Sequence, residues 1–249
     1  MDTLFASENH KNIWLEDFGH GLAVQANQHM IVHNGVAIIL DPGGHKAYKA
    51  TMSQVAGLVK IGQLKHIFLS HQDPDILAAV NGWLMTTDAI AWCSSLWVRF
   101  VPHFGLDKLV EHRLNAIPDE GMVLDLEGAP LKIIPAHFLH SVGNFQVYDP
   151  ISKILYSGDL GASLGMDYRF VNDFDGHLQY MEGFHKRYMT CNKAMRAWAS
   201  MVSQLDIEVI APQHGAAFRG KDMVDRFVNW CAELQCGIDV MESVYTVPQ

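Results

Sequence analysis

The sequence predicts a layered α/β domain, and three observations carry that expectation. Short β-rich runs ending in Gly, Asn, Asp or Pro alternate with longer segments of helical period. The 249 residues are 49% hydrophobic and include 12 Phe, 7 Tyr and 6 Trp, enough to bury a large core. No low-complexity linker, charge block or internal repeat divides the chain, so residues 1–249 read as a single domain.

Taken in order, the first strands are His29 to His33 and Val36 to Leu40. They form a hairpin turning at Asn34-Gly35, a dipeptide that tolerates positive φ. A helix over Lys46 to Ile61 leads to a strand at His66 to Ser70, and a second helix over Pro74 to Met85 leads to a strand at Ile90 to Trp92. Strands follow at Leu131 to Pro135, Asn144 to Tyr148 and Lys153 to Ser157. Beyond them the pattern gives a helix over Tyr188 to Leu205, a strand at Ile207 to Ala211 and a helix over Lys221 to Cys236. Asp222 in the first turn and Gly237 as a stop fit that last helix. The stretch Phe174 to Asn192 is rich in aromatics, Met and His, and two readings stand. It is a core-facing amphipathic helix, or a lid over a site in which Tyr180 or Tyr188 hydrogen-bonds a ligand.

Charge narrows the function. There are 18 Lys+Arg against 27 Asp+Glu, a formal net charge of −9, and no basic stretch. Nucleic acid and anionic membrane surfaces are therefore disfavoured as partners, because clustered Lys and Arg carry phosphate attraction. Met1 to Ser7 has an Asp and no basic start, and no apolar run approaches the ~20 residues of a membrane helix, so a cytoplasmic location is expected. Cys93, Cys191, Cys231 and Cys236 form no C-x-x-C pair and read as buried thiols. Histidine, at 14 residues, is in excess.

Four predicted strands run into a possible metal ligand: IFLS into His71, KIIPAHFL into His140, ILYSG into Asp159 and VIAPQ into His214. In layered α/β folds, ligands gather beyond strand ends, where residues distant in sequence converge. The densest local motif is Ser70-His71-Gln72-Asp73-Pro74-Asp75, whose alternating His, Asp and Asp could reach one or two cations. The same Asp and Pro residues also suit a helix start, so Asp73 or Asp75 could equally be an N-cap.

The ordered series His71-x-Asp73-x-Asp75, His140-Ser141-Val142-Gly143, Gly158-Asp159 and His214-Gly215 resembles the metallo-β-lactamase superfamily. The resemblance runs from about Val24 to Gly215 and implies a four-layer αββα sandwich with a dinuclear site at one sheet edge. Zinc hydrolases of that superfamily usually carry His where this chain has Asp73, whereas flavodiiron proteins carry a carboxylate. Extra carboxylates suit iron or manganese. The resemblance therefore implies two irons: His71, Asp73 and His140 on the first, Asp75 and His214 on the second, and Asp159 bridging. Many members have another His after Asp75, where this chain has Ile76. The position so vacated is expected to admit dioxygen beside Ile76, or to be filled by His177 or His185. His137 is expected to support His140, and Asp41 to support the site without ligating.

Flavodiiron proteins carry a flavodoxin-like domain after the diiron domain, and only 34 residues follow Gly215 here, so no flavin site is expected in this chain. The chain looks like the oxygen-binding diiron branch. That relationship implies a diferrous site that takes up dioxygen as a diferric-peroxo form for oxygen sensing or storage, in some relatives alongside chemotaxis receptors. Two alternatives stay open. One is an oxygen or nitric oxide reductase fed by an external electron donor protein, and the other is a dinuclear zinc or manganese hydrolase. A homodimer is compatible with each.

Overall fold

A computed structural model describes residues 1–15 and 24–248. Among them, fourteen strands form two seven-stranded sheets. The first sheet runs in spatial order through β1 (Asp2–Ala6), β2 (His10–Trp14), β3 (His29–His33), β4 (Val36–Leu40), β5 (Leu64–Phe68), β6 (Ile90–Ser94) and β7 (Leu114–Ile117). Its first four strands pair antiparallel and the rest pair parallel. The second sheet contains β8 (Met122–Leu126), β9 (Ala129–Pro135), β10 (Phe145–Asp149), β11 (Ile154–Gly158), β12 (Phe170–Val171), β13 (Val209–Pro212) and β14 (Ala217–Arg219). Its spatial order is β12-β14-β13-β11-β10-β9-β8.

Three apolar layers make this a four-layer αββα sandwich. Ile31, Ile38 and Phe68 of the first sheet meet Leu131, Phe145 and Val147 of the second in the central layer. On the outer face of the first sheet, Ile39 and Ile67 pack with Val55 of α1 (His45–Leu58), Leu77 of α2 (Pro74–Leu77) and Trp83 of α3 (Val80–Thr86). The second sheet is covered by Met181 of α4 (Phe174–Tyr188), Trp198 of α5 (Asn192–Val202) and Phe227 of α6 (Lys221–Glu233). Covered on both faces, β10 and β11 are buried at every position. No helix among the described residues is long and apolar enough to cross a membrane.

The predicted elements differ from the observed ones where tertiary contacts override local pattern. The helix expected over Pro74 to Met85 is two helices, broken where Ala79 takes φ −95° and ψ 1°. The helix expected from Tyr188 begins at Asn192, while Tyr188 closes α4. Nothing local breaks that pattern. The interruption is fixed by the chain after α6, where Gly237 N–H donates to Lys186 O and Ile238 N–H to Thr190 O.

The strands β1 and β2 escape a hydrophobic-pattern reading because β2 points polar residues inward. His10 Nε2 lies 2.6 Å from Asp149 Oδ2, and its Nδ1 lies 3.0 Å from His33 Nδ1. Asn12 and Ser152 donate to the same Asp149 oxygen at 2.7 Å. The network ties β2 and β3 across the sandwich to the end of β10. The network buries His33, and His29 at the other end of β3 is buried as well. Burial pushes the His29 imidazole down to about 3, so that ring is a neutral core residue.

Candidate metal centre

The site lies beyond the C-terminal ends of β5, β11 and β13. Leaving β5, the chain turns through Ser70, whose N–H donates to Asp41 Oδ1 at 2.8 Å and whose Oγ lies 2.9 Å from His71 Nδ1. Asp41 therefore fixes the turn that presents His71. Its burial pushes the Asp41 carboxyl up to about 6, against the opposing Ser70 hydrogen bond. With Nδ1 occupied, His71 presents Nε2 to the site.

Asp73 occupies the N-cap position of α2, with Pro74 next, yet its side chain makes no cap hydrogen bond. The carboxylate turns instead toward the histidines: Asp73 Oδ2 is 3.6 Å from His71 Nε2 and 3.5 Å from His140 Nε2. The two readings of the motif are thus separated by where the oxygen points. Strand β9 ends at Pro135, and His140 reaches the site from the loop that follows, not from the strand end itself. Its Nε2 comes within 3.2 Å of His71 Nε2 and 2.9 Å of Asp159 Oδ2. His71, Asp73, His140 and Asp159 place one donor atom each within 4.8 Å of one another.

Asp159 faces a second group through its other oxygen. Oδ1 is 3.4 Å from His214 Nε2, which in turn is 3.4 Å from Asp75 Oδ2. One carboxylate thus presents a different oxygen to each side. That Oδ1 is buried without a hydrogen-bond donor, a costly arrangement unless a cation satisfies it. Two imidazole nitrogens facing each other at 3.2 Å likewise need a shared proton or a metal between them. Three imidazoles and three carboxylates, without thiolate, suit iron or manganese better than a soft-ligand metal.

Without a cation, protons take its place. Burial alone would lower the His214 pKa, but the adjacent Asp159 carboxylate, with Asp75 behind it, raises it to about 9. Burial would raise the Asp159 carboxyl, yet His140 and His214 hold it well below the usual carboxylate range. His71 is raised by Asp159 and Asp73 against its burial. Asp73 is lowered chiefly by the adjacent His71 imidazole, and Asp75 is raised by burial.

The sign of the metal-binding pH dependence follows. His214 is raised from 6.5 to about 9, so the stabilisation from its proton is full below 6.5 and lost as pH rises through about 9. A metal ion must displace that proton, so apparent affinity is expected to rise by up to about tenfold per pH unit across that window, then level off. Titration of the metal-free chain with Co²⁺ at several pH values checks this.

The remaining predicted residues divide. Ile76 is fully buried in the apolar layer beneath α2, so it does not border the open space above the carboxylates. His137 is turned away, with Nε2 2.8 Å from the Asp119 carbonyl and its ring against Phe145. His177 is buried beside Tyr168, whose hydroxyl lies 2.8 Å from Nδ1, and it packs on Phe218. Both nitrogens of His185 are used: Nδ1 donates to Met181 O and Nε2 accepts Gly161 N–H. None of these three histidines reaches the cluster, because α4 aims them into the core or the β9 loop aims them outward.

Helix α4 buries one face in the core and lines the space above the carboxylates with another. Phe174, His177, Met181 and His185 form its buried face. One step around the helix, Tyr180, Gly183, Phe184, Arg187 and Tyr188 line a cavity of about 730 Å³ whose opposite wall is Asp73, Asp75, His140, Asp159 and His214. Tyr188 stacks on Phe184 and sets its ring edge against His140, with centroids 5.7 Å apart.

Two supporting residues have no signal in the sequence. The Gln25 carbonyl accepts from His214 Nδ1, and Gln25 Oε1 accepts Gly215 N–H at 2.7 Å. Asn27 Nδ2 donates to the carbonyls of Pro212 and Gly215, both at 2.9 Å. Together they fix the His214 turn so that Nε2 faces Asp159. They precede β3 as a run of amides, and no local pattern tells that their partners lie almost 190 residues later.

The family model described as ODP family beta lactamase matches residues 24–215. The chain is similar to a solved structure of a peroxy diiron species of chemotaxis sensor ODP, with 41% identity and a TM-score of 0.89 over 98% of this chain and 100% of that one. It is also similar to the apo state of chemotaxis sensor ODP from T. denticola, with 40% identity and a TM-score of 0.87 over 98% of each chain. The flavodiiron protein from Giardia intestinalis shares the fold at 16% identity, with a TM-score of 0.75 over 93% of this chain and 58% of that one. A curated relative, diflavin flavoprotein A 1 of Synechocystis sp., is 24% identical over 86% of this chain. The chain spans 38% of that relative's length.

Proposed function

The chain belongs to the ODP family beta lactamases, and on that premise we propose that it holds two iron ions and binds dioxygen at them for oxygen sensing or storage. The observation that carries this reading is the Asp159 carboxylate. One of its oxygens faces His71 and His140, and the other faces His214. His71, Asp73 and His140 would hold one ion, Asp75 and His214 the other, and Asp159 would bridge. A ferrous pair, when bound, supplies the two electrons needed to hold dioxygen.

The protein's own groups prepare the place. Ser70 and Gln25 engage the Nδ1 atoms of His71 and His214, which fixes each ring and leaves Nε2 free to ligate. Phe184 and Tyr188 cover the outer side of His140, and Ala162 and Leu164 add apolar wall. Such a wall makes the surroundings on that side of the carboxylates less polar, which favours retention over turnover of what binds there. Similarity to a chemotaxis sensor motivates the further reading that occupancy is reported to a signalling partner.

The test is anaerobic loading with ferrous iron followed by oxygen titration, monitored optically with and without an added reductase. The expected result is about two irons per chain and an absorption band that saturates near one dioxygen per chain and persists. Continuous oxygen consumption would favour a reductase. Two zinc ions with esterase activity would favour a hydrolase.

A further inference from the structure

We propose that Gln72 is a positioning residue, the centre of a hydrogen-bonded relay that links the His140-Ser141-x-Gly143 motif to the Asp73 carboxylate and selects which Asp73 oxygen faces the metal. The proposal rests on the reading of His71, Asp73 and His140 as ligands of one ion.

The relay runs in one direction. Gly143 N–H donates to Ser141 Oγ at 3.3 Å, Ser141 O–H donates to Gln72 Oε1 at 2.5 Å, and Gln72 Nε2–H donates to Asp73 Oδ1 at 3.0 Å. With every donor aligned, each bond polarises the next. Oδ1 is thereby occupied, and Oδ2 is the oxygen left toward His71 and His140, at 3.6 and 3.5 Å. Asp73 is held as a one-oxygen ligand.

Residue chemistry explains why these types stand here. Only an amide combines an acceptor for Ser141 with a donor for Asp73 at the same reach; Glu lacks the donor, and Leu lacks both. Ser141 is buried and has no other acceptor for its hydroxyl proton among the described contacts. Gly143 is required by packing. A Cβ there would lie 2.6 Å from Ser94 Oγ and 3.0 Å from Trp97 Nε1, pushing the loop and Ser141 off the relay. The Ser and Gly of the second motif thus act on the metal through a residue of the first.

The test compares the wild-type chain with Gln72→Leu, Ser141→Ala, Ser141→Thr and Asp73→Asn, titrated anaerobically with Co²⁺ and followed by visible absorption. Gln72→Leu and Ser141→Ala are expected to weaken one of the two binding steps by about 10- to 100-fold, the usual cost of losing a ligand's hydrogen-bond support. That step is the one Asp73→Asn abolishes. The other step should stay within about threefold, and Ser141→Thr, which keeps the hydroxyl, should restore the weakened step; Gln72→Leu, which leaves the buried Ser141 hydroxyl without its acceptor, should lower the melting temperature of the metal-free chain by only a few degrees. Gln72→Leu with both steps at wild-type affinity would overturn the relay alone. Equal weakening of both steps with a larger fall in melting temperature would also overturn it, by making Gln72 a general structural residue. Wild-type uptake of fewer than two ions would overturn the two-ion reading beneath it.

Discussion

Replacing Asp159 by Asn is expected to reduce bound metal from about two ions per chain to fewer than one, the largest loss among single substitutions at the site. The change is nearly isosteric and the position is almost fully buried, so packing is preserved while the charge is lost. Asp159 is the group shared by both halves of the cluster, within 2.9 Å of His140 and 3.4 Å of His214. Loss of hydrogen-bond support around a ligand costs about 10- to 100-fold in metal affinity, and loss of the carboxylate shared by both halves of the cluster should exceed that on both sides. A second signature distinguishes electrostatics from misfolding. His214 is raised to about 9 chiefly because Asp159 outweighs its burial. In Asp159→Asn that support disappears, so the decline in metal-free stability between pH 6.5 and 9 should flatten. Metal analysis and melting curves at several pH values check both effects.

Gly215→Ala is expected to destabilise the fold and release His214 together. Gly215 has φ +79°, and a Cβ built there would lie 2.1 Å from Ser163 Oγ and 2.3 Å from the Ser163 carbonyl oxygen. The backbone conformation alone costs a residue with a Cβ about 1–2 kcal/mol, and relief of the overlap costs typically 1–3 kcal/mol more. The sum, on the order of 3 kcal/mol, corresponds to a fall in melting temperature of about 6–12 °C for a chain this size. The Gly215 amide donates to Gln25 Oε1, and Ser163 also accepts Ala216 N–H, so the strain falls on the turn that aims His214. Metal bound beside Asp75 should be lost first, which stepwise Co²⁺ titration of the variant would reveal.

Much of the fold was legible because its central strands are apolar runs bounded by turn residues. The hairpin of β3 and β4 falls on the predicted bounds, His29–His33 and Val36–Leu40. The outer strands were not legible. In β2, His10 and Asn12 are buried against Asp149, which hides the alternation that marks a half-buried strand. At the site, the six residues named from the motifs are brought together, since strand ends and short turns deliver them. Their supports were missed or misplaced, because support is a tertiary property. His137, three residues from His140, points at the Asp119 carbonyl, while Gln25 reaches the His214 turn from the other end of the chain. Ile76 follows two candidate ligands in sequence, yet the first turn of α2 carries it to the opposite side, into the core. The histidine excess also divides by surroundings: His71, His140 and His214 face carboxylates in the cluster, whereas His29, His177 and His185 are held neutral by burial.

The most direct measurement is diffraction from crystals of the anaerobically iron-loaded protein, collected on both sides of the iron absorption edge. Two iron peaks are expected, one among His71, Asp73 and His140 and the other beside Asp75 and His214, with the Asp159 carboxylate between them. A single peak, peaks on one side of Asp159 only, or a signal at the zinc edge in place of iron would contradict it.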